Sequence, residues 1–150
     1  MPVYPDAREL GRRWFEEVWN ARRDESIGEL MTPDSIGHVE GGQYRGPEGF
    51  REMQRVFLSA LPDVHIEIEA ILADDHRAAV RWRAKGTHTG DGLGFPASNR
   101  RIDIQGTTWL VVKDGRIVEG WDTWNLGGMV ASLGAPGETP QSPRFEGNKT

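Results

Sequence analysis

The sequence contains no cysteine in 150 residues. That excludes a thiol nucleophile, a cysteine-ligated zinc or iron–sulfur centre and a disulfide scaffold. It has no surplus of positive charge. Lys and Arg number 18 against 23 Asp and Glu, a formal net charge of −5, so the basic footprint of a nucleic-acid binder is missing. No run approaches the ~20 apolar residues of a membrane span. The opening stretch, MPVYPDARELGRRWF, has no apolar segment behind a basic start and reads as no secretory signal. The expectations are a cytoplasmic protein, no nucleic-acid partner and no membrane. The common catalytic signatures are missing too: no G-x-x-x-x-G-K-[ST], no G-x-G-x-x-G after a strand, no H-E-x-x-H and no G-x-S-x-G. The stretch Gly90-Asp91-Gly92-Leu93-Gly94 is glycine-rich, but it lies between two predicted strands. With no helix N-terminus behind it to hold a phosphate, it reads as a hairpin loop.

What is present suffices for one domain. A chain of this length buries roughly 70% of the surface it exposes unfolded, and its 37% hydrophobic content is ordinary for a globular protein. Ala7, Leu10, Trp14, Val18 and Ala21 recur at helical spacing, behind an Asp6-x-x-Glu9 capping pattern. They predict a helix from about Asp6 to Arg23. Leu30 and Met31 are assigned to a short second helix ended before Pro33, and Ser35 to Glu40 to an extended stretch. Pro47 opens a third helix at its tolerated first position, with Phe50, Met53, Phe57, Ala60 and Leu61 on its buried face and Pro62 as its stop. From Asp63 the period falls to two. Val64, Ile66 and Ile68 alternate with His65, Glu67 and Glu69. Further strands are predicted over Arg77 to Thr89, Arg101 to Lys113 and Arg116 to Trp124, the last two joined by an Asp114-Gly115 turn. Helices followed by a run of strands predict an α+β fold, with a strongly curved antiparallel sheet and the helices gathered on one side. Such a sheet leaves a cone whose open mouth suits a small molecule. Residues 134–150, with Pro136, Pro140 and Pro143 among polar residues, are expected to form a poorly ordered tail after a domain spanning 1–133.

Asp122 is the first candidate for chemistry. It lies late in a strand of Ile117, Val118, Trp121 and Trp124, where aspartate is depleted. A carboxylate on a pocket wall is desolvated, which raises its pKa toward the range useful for acid/base work. The alternative is a residue that faces solvent or caps a backbone amide. A plain two-residue turn pairs Asp122 with Thr107; a three-residue turn with a bulge pairs it with Gly106 and brings Thr108 beside it. His88 shares the alternation of Val80 and Trp82 and is expected on the inner face. There it either hydrogen-bonds a substrate carbonyl or is a satisfied core histidine. His38, between two helices, is a weaker candidate for the mouth of the cone. Trp82, Trp109 and Trp124 suit stacking on a flat ligand or packing in the core. His38, His88 and Asp122 are metal-ligand types, but none is paired at ligand spacing. Neither a metal nor an organic cofactor is expected.

Four segments carry a resemblance. They are Trp14-Phe15-Glu16-Glu17-Val18-Trp19-Asn20, Tyr44-Arg45-Gly46-Pro47-Glu48-Gly49-Phe50, Lys85-Gly86-Thr87-His88-Thr89-Gly90 and Asp114-Gly115-Arg116-Ile117-Val118-Glu119-Gly120-Trp121-Asp122. In order and spacing the set resembles the SnoaL-like polyketide cyclases, or ester cyclases, of the NTF2-like superfamily. The resemblance implies a cone-shaped α+β barrel, commonly a homodimer or higher homo-oligomer built through the sheet. It implies cofactor-independent closure of the last ring of an aromatic polyketide by an intramolecular aldol reaction. It places the acid/base aspartate at Asp122 and the shared histidine at His88. The family's cyclases also carry a histidine on the preceding strand, facing that aspartate; here the strand reads Gly106-Thr107-Thr108-Trp109.

The sequence therefore supports a cyclase acting on a hydrophobic ester, polycyclic or not, with Asp122 and His88 catalytic and His38, Trp82, Thr108, Trp109 and Trp124 binding substrate. A non-catalytic small-molecule binder on the same cone is the second reading. An isomerase, dehydratase or hydroxylase of the same shape is the third.

Overall fold

Asp6 starts the first helix. Its carboxylate accepts the backbone N–H of Glu9 at 2.9 Å, which satisfies a donor with no partner inside the helix, and α1 runs Ala7–Arg13. The computed structural model, which describes residues 3–134, departs here from the single helix expected to Arg23. Trp14–Asn20 continue α1 with π-helical pitch. The wider turn broadens the apolar face, so that Trp14, Phe15 and Val18 are all buried. Side chains close the groups this pitch leaves open. Gln54 donates to the Val18 carbonyl at 2.9 Å. Asn20 pairs with both backbone groups of Ile66 at 2.8 Å each, capping a free sheet edge.

The remaining elements are α2 (Asp24–Leu30), β1 (Met31–Val39), β2 (Gly42–Arg45), α3 (Gly46–Ala60), β3 (His65–Ala73), β4 (Arg77–Thr87), β5 (Arg101–Lys113), β6 (Arg116–Thr123) and α4 (Leu126–Ser132). The architecture is mixed α+β, four helices and one curved six-stranded sheet of order β2-β1-β6-β5-β4-β3. β2 and β3 are free edges, so the expected cone is an open sheet rather than a closed barrel.

Three features differ from the sequence expectation. Met31 opens a strand instead of closing a helix, and Pro33 sits where the β1 ladder is interrupted between Met31 and Ile36, so no ladder N–H is missed. The β1–β2 hairpin precedes α3, and β1 runs parallel to β6, with Gly37 opposite Gly120 and His38 opposite Trp121. The sheet is therefore not wholly antiparallel. A long connection to β6, through α3 and four strands, frees β1 from the direction a tight turn would impose. Finally, α4 was not expected. Gly127 and Gly128 lower its intrinsic propensity, but the Asn125 side chain accepts the Gly128 N–H at 2.8 Å and starts it. Of the expected tail at 134–150, all but Gly134 lies outside the described residues.

The helices pack on the concave face. Phe50 is 1% exposed and meets Trp14, Tyr44 and Trp19 edge to face at 4.6, 5.5 and 5.6 Å. Burying one such ring is worth roughly 2–3 kcal/mol. The convex face is mostly polar, with Arg81 beside Glu69 and Arg83 beside Asp103. Trp109, 42% exposed, is its one large apolar side chain in the open on β5 and β6.

Candidate active site

A bulge decides where Asp122 points. Asp114 and Gly115 have φ of 51° and 76°, a two-residue hairpin turn that pairs Lys113 with Arg116. Continued without interruption, that register would set Asp122 against Thr107. Instead Val112 faces Ile117 while Val111 faces Glu119, so Val118 is an extra residue in β6. Beyond it the alternation is inverted. Asp122 falls opposite Thr108 and Trp121 opposite Trp109. Neither register read from the sequence is the observed one, because neither placed an extra residue at Val118. The effect of Val118 is to turn Asp122 and Trp124 to the concave face and Trp121 to the convex one.

The carboxylate is held by a directional chain. Trp82 Nε1–H donates to Thr108 Oγ1 at 2.9 Å, and Thr108 donates its own proton to Asp122 Oδ1 at 2.6 Å. Trp82 and Thr108 are 5% and 3% exposed, so the chain is sheltered from water. Asp122 Oδ2 makes no hydrogen bond among the described residues. Burial pushes the Asp122 carboxyl above its ordinary range, and the Thr108 hydrogen bond draws part of that back. Gly106 is needed for this arrangement. A Cβ there would overlap the Trp82 ring and crowd Trp124.

Asp122 lies on the wall of a cavity of about 200 Å³ between the concave face and the helices. Phe15 and Trp19 from the π-helical turn, Phe57 from α3 and Trp82 and Trp124 from the sheet supply its aromatic walls. Phe57 and Trp82 both meet Trp124 edge to face, at 5.8 and 6.4 Å. Among the described residues, the lining has Glu40 and Asp122 as its ionisable groups and contains no Lys, Arg or His. Glu40 Oε2 accepts the Gly127 N–H at 3.0 Å, and Arg100 donates to the Ser132 carbonyl at 2.7 Å. These two ties hold α4 at either end, with Leu126 and Met129 over the cavity.

Of the residues singled out in the sequence, Trp82, Trp124 and Asp122 meet at this cavity, and Thr108 stands directly behind it. Three others do not. His88 is on the inner face as its alternation predicts and is fully buried, but it does not line the cavity. Its Nδ1 accepts the Ser98 N–H at 3.1 Å and lies 2.9 Å from Ser98 Oγ, while the ring packs on Phe95 at 5.2 Å. A ring nitrogen that accepts from an amide has no proton to give, so this face of His88 clamps the 89–100 loop. The expectation that His88 and Asp122 reach one cavity is not met. His38 is on the convex side, stacked on Trp121 at 5.0 Å with Nε2 2.7 Å from Glu119, and Trp109 lies on that face too. Both were expected to touch ligand and neither lines the cavity, His38 because β1 alternation gives that wall to Val39 and Trp109 because the β5 alternation gives it to Thr108. Among the described residues no three metal-ligating side chains cluster.

The sequence reading passed over Trp19, Glu40 and Tyr44. Trp19 follows Phe15 by four residues, a spacing that puts both on one helix face, and both line the cavity. Nothing local in the sequence marks Glu40 or Tyr44.

Residues 9–133 match the family described as SnoaL-like polyketide cyclase. The chain is 25% identical over 139 residues to aklanonic acid methyl ester cyclase DnrD of Streptomyces peucetius, covering 88% of this chain and 94% of that one. It has the same identity to the cyclase of that name, DauD, of Streptomyces sp. strain C5, covering 88% and 84%. Among solved structures, a SnoaL-like protein from Jannaschia sp. CCS1 superposes with a TM-score of 0.81 at 23% identity, over 91% of this chain and 96% of the other, a likeness of fold. IdmH of Streptomyces antibioticus, named for a polyketide cyclase, superposes with a TM-score of 0.73 at 27% identity, over 86% and 99%.

Proposed function

This chain belongs to the SnoaL-like polyketide cyclase family, and from that premise we propose that it closes a ring in a polyketide ester, with Asp122 as the acid/base. One observation carries the proposal: a partly buried carboxylate with one oxygen fixed by Thr108 and the other unpaired, on the wall of a mostly apolar cavity. Two relatives named for a methyl ester substrate point the same way. So does the charge of the lining. With Glu40 and Asp122 in it and no cation among the described residues, a carboxylate ligand would be repelled, and a neutral ester is accommodated.

The reaction needs little. A methylene between two carbonyls is acidic because its enolate is delocalised. Asp122 Oδ2 takes one of its protons. The enolate carbon attacks a ketone in the same molecule, the new C–C bond forms as the ketone π bond breaks, and Asp122 returns the proton to the resulting alkoxide. Base and acid are one group, so no net proton is gained or lost. A tuned acid/base contributes typically ~10²–10⁴-fold; folding the chain against five aromatic walls supplies proximity. The expectation that His88 polarises the ketone is set aside in this reading, since His88 is outside the lining. Trp82 uses its N–H on Thr108, which leaves the indole N–H groups of Trp19 and Trp124 as the aromatic donors of the lining. Opposite Asp122, where the family resemblance places a histidine, stands Thr108. It holds the base but has no second base to offer.

The test is Asp122→Asn, which keeps the shape and removes the basic oxygen. Turnover of a polyketide methyl ester is expected to fall by ~10²-fold or more, with affinity changed by less than about tenfold. A variant that retains the wild-type rate refutes the assignment. A wild type that binds the ester, followed by tryptophan fluorescence, and never converts it makes the protein a binder. The proposal extends to assembly: a homodimer through the convex face would cover Trp109 and Trp121.

A further inference from the structure

Behind Asp122 lies a second, smaller space. Ser35 and Ile36 from β1, Tyr44 from β2, Thr108 from β5 and Asp122 from β6 border a void of about 10 Å³, about one water in size. Trp14, Met31, Leu110 and Ile117 close the rest of it with apolar surface. Among the side chains lining it, the one hydrogen bond is that of Thr108 to Asp122. The hydroxyls of Ser35 and Tyr44 have no hydrogen-bond partner among the described residues, although Ser35 is only 2% exposed and Tyr44 is partly buried. Gly37 fixes the tyrosine there: a Cβ at position 37 would overlap the ring and its hydroxyl. Two unpartnered hydroxyls and a carboxylate around a space of this size form a polar site for one water, which requires two to four such partners. A dry void would leave both hydroxyls unpaired, at a cost that buried polar groups rarely carry.

We propose that Tyr44 and Ser35 are positioning residues for Asp122, acting through one water held between their hydroxyls and the carboxylate. This rests on the reading of Asp122 as the acid/base. The Tyr44 O–H donates to the water, and the water donates to Asp122. The tyrosine remains a donor, since burial and the nearby Asp122 charge both push its own pKa upward. The water stabilises the ionised carboxylate from the side away from the cavity. The water thereby offsets part of the burial that raises the Asp122 pKa and keeps more of the carboxyl ionised, and the cavity-facing oxygen is left for substrate. Among the described residues the other titratable group of the cavity lining is Glu40; α1 and its π-helical continuation, α3, β4 and β5 bring none to the cavity or the void.

The experiment is a pH titration of the Asp122 carboxyl carbon by NMR in the intact protein, Tyr44→Phe and Ser35→Ala, with a high-resolution crystal structure of each. A water is expected in the wild-type void, bonded to both hydroxyls. Removal of either hydroxyl is expected to raise the Asp122 midpoint by roughly one pH unit, the equivalent of one weakened charge-assisted bond. Ser35→Ala removes a single buried oxygen and serves if Tyr44→Phe folds poorly. Unchanged midpoints, a dry void, or a shift in one variant without the other overturns the shared water. The titration does not depend on turnover, so it stands or falls apart from the assignment of Asp122 as base, which Asp122→Asn tests.

Discussion

Thr108→Val isolates the bond that tunes the proposed base. Valine has nearly the shape of threonine, so packing between Trp82 and Asp122 is retained while two hydrogen bonds go: the 2.6 Å bond to Asp122 Oδ1 and the 2.9 Å bond from Trp82 Nε1. A hydrogen bond to a charged group is worth about 1.5–3 kcal/mol, which at about 1.4 kcal/mol per unit is a rise of roughly 1–2 units in the Asp122 pKa. The sign follows from its present state. Burial already raises this carboxyl above its unfolded value, so the folded protein binds the proton more tightly than the unfolded chain. Stability therefore falls as pH rises from the unfolded to the folded pKa, and the full penalty stands above the latter. In Thr108→Val that window extends further upward. The stability difference from wild type is predicted to contain a constant part of about 1–3 kcal/mol for the orphaned Trp82 N–H, plus a part that grows with pH through the wild-type midpoint. In the pH–rate profile a base must be ionised, so the acidic limb of kcat/KM moves up by the same 1–2 units. Thr108→Ser keeps the hydroxyl and is expected to keep the limb. Denaturant melts across pH, with the NMR midpoint of Asp122, provide the check. A Thr108→Val protein whose limb and midpoint coincide with wild type would show that Thr108 does not tune Asp122.

Three further outcomes are expected. Glu17, held by Arg13 at 2.7 Å and Ser26 at 2.8 Å, has its pKa lowered from 4.5 to about 2; its stabilisation, about 1–2 kcal/mol after solvent screening, is present above pH 4.5 and lost as pH falls toward 2, and acid melts of Glu17→Gln should lack that slope. Gly106→Ala forces a methyl against Trp82 and Trp124 and should cost roughly 1–3 kcal/mol with an altered tryptophan emission; a thermal melt matching wild type would count against the packing described. Trp109→Glu should turn the proposed homodimer into a monomer in sedimentation at micromolar concentration, and a wild type that is already monomeric removes that assembly.

Much of the fold was written in the order of the residues, because local patterns carry it. The period change at Asp63 marks where α3 gives way to the run of strands β3 to β6, and β5 starts and stops as its alternation requires, at Arg101 and Lys113. Capping at Asp6 and the proline of α3 are local chemistry, legible without a partner. Asp122 stood out by type alone, as a carboxylate among aromatic and β-branched residues. What the sequence could not supply were the relations between distant segments. Whether Asp122 faces the cavity depends on one unpaired residue, Val118, and a bulge leaves no mark in an alternating run of apolar residues. That His88 serves a loop rather than the cavity follows from Ser98 and Phe95 folding back over it. Tyr44 borders the same small void as Asp122 because β1 pairs with β6 and brings β2 with it. Propensity and periodicity are properties of neighbours in the chain; the site is a property of register and crossing, which are fixed only when sheet and helices close on each other.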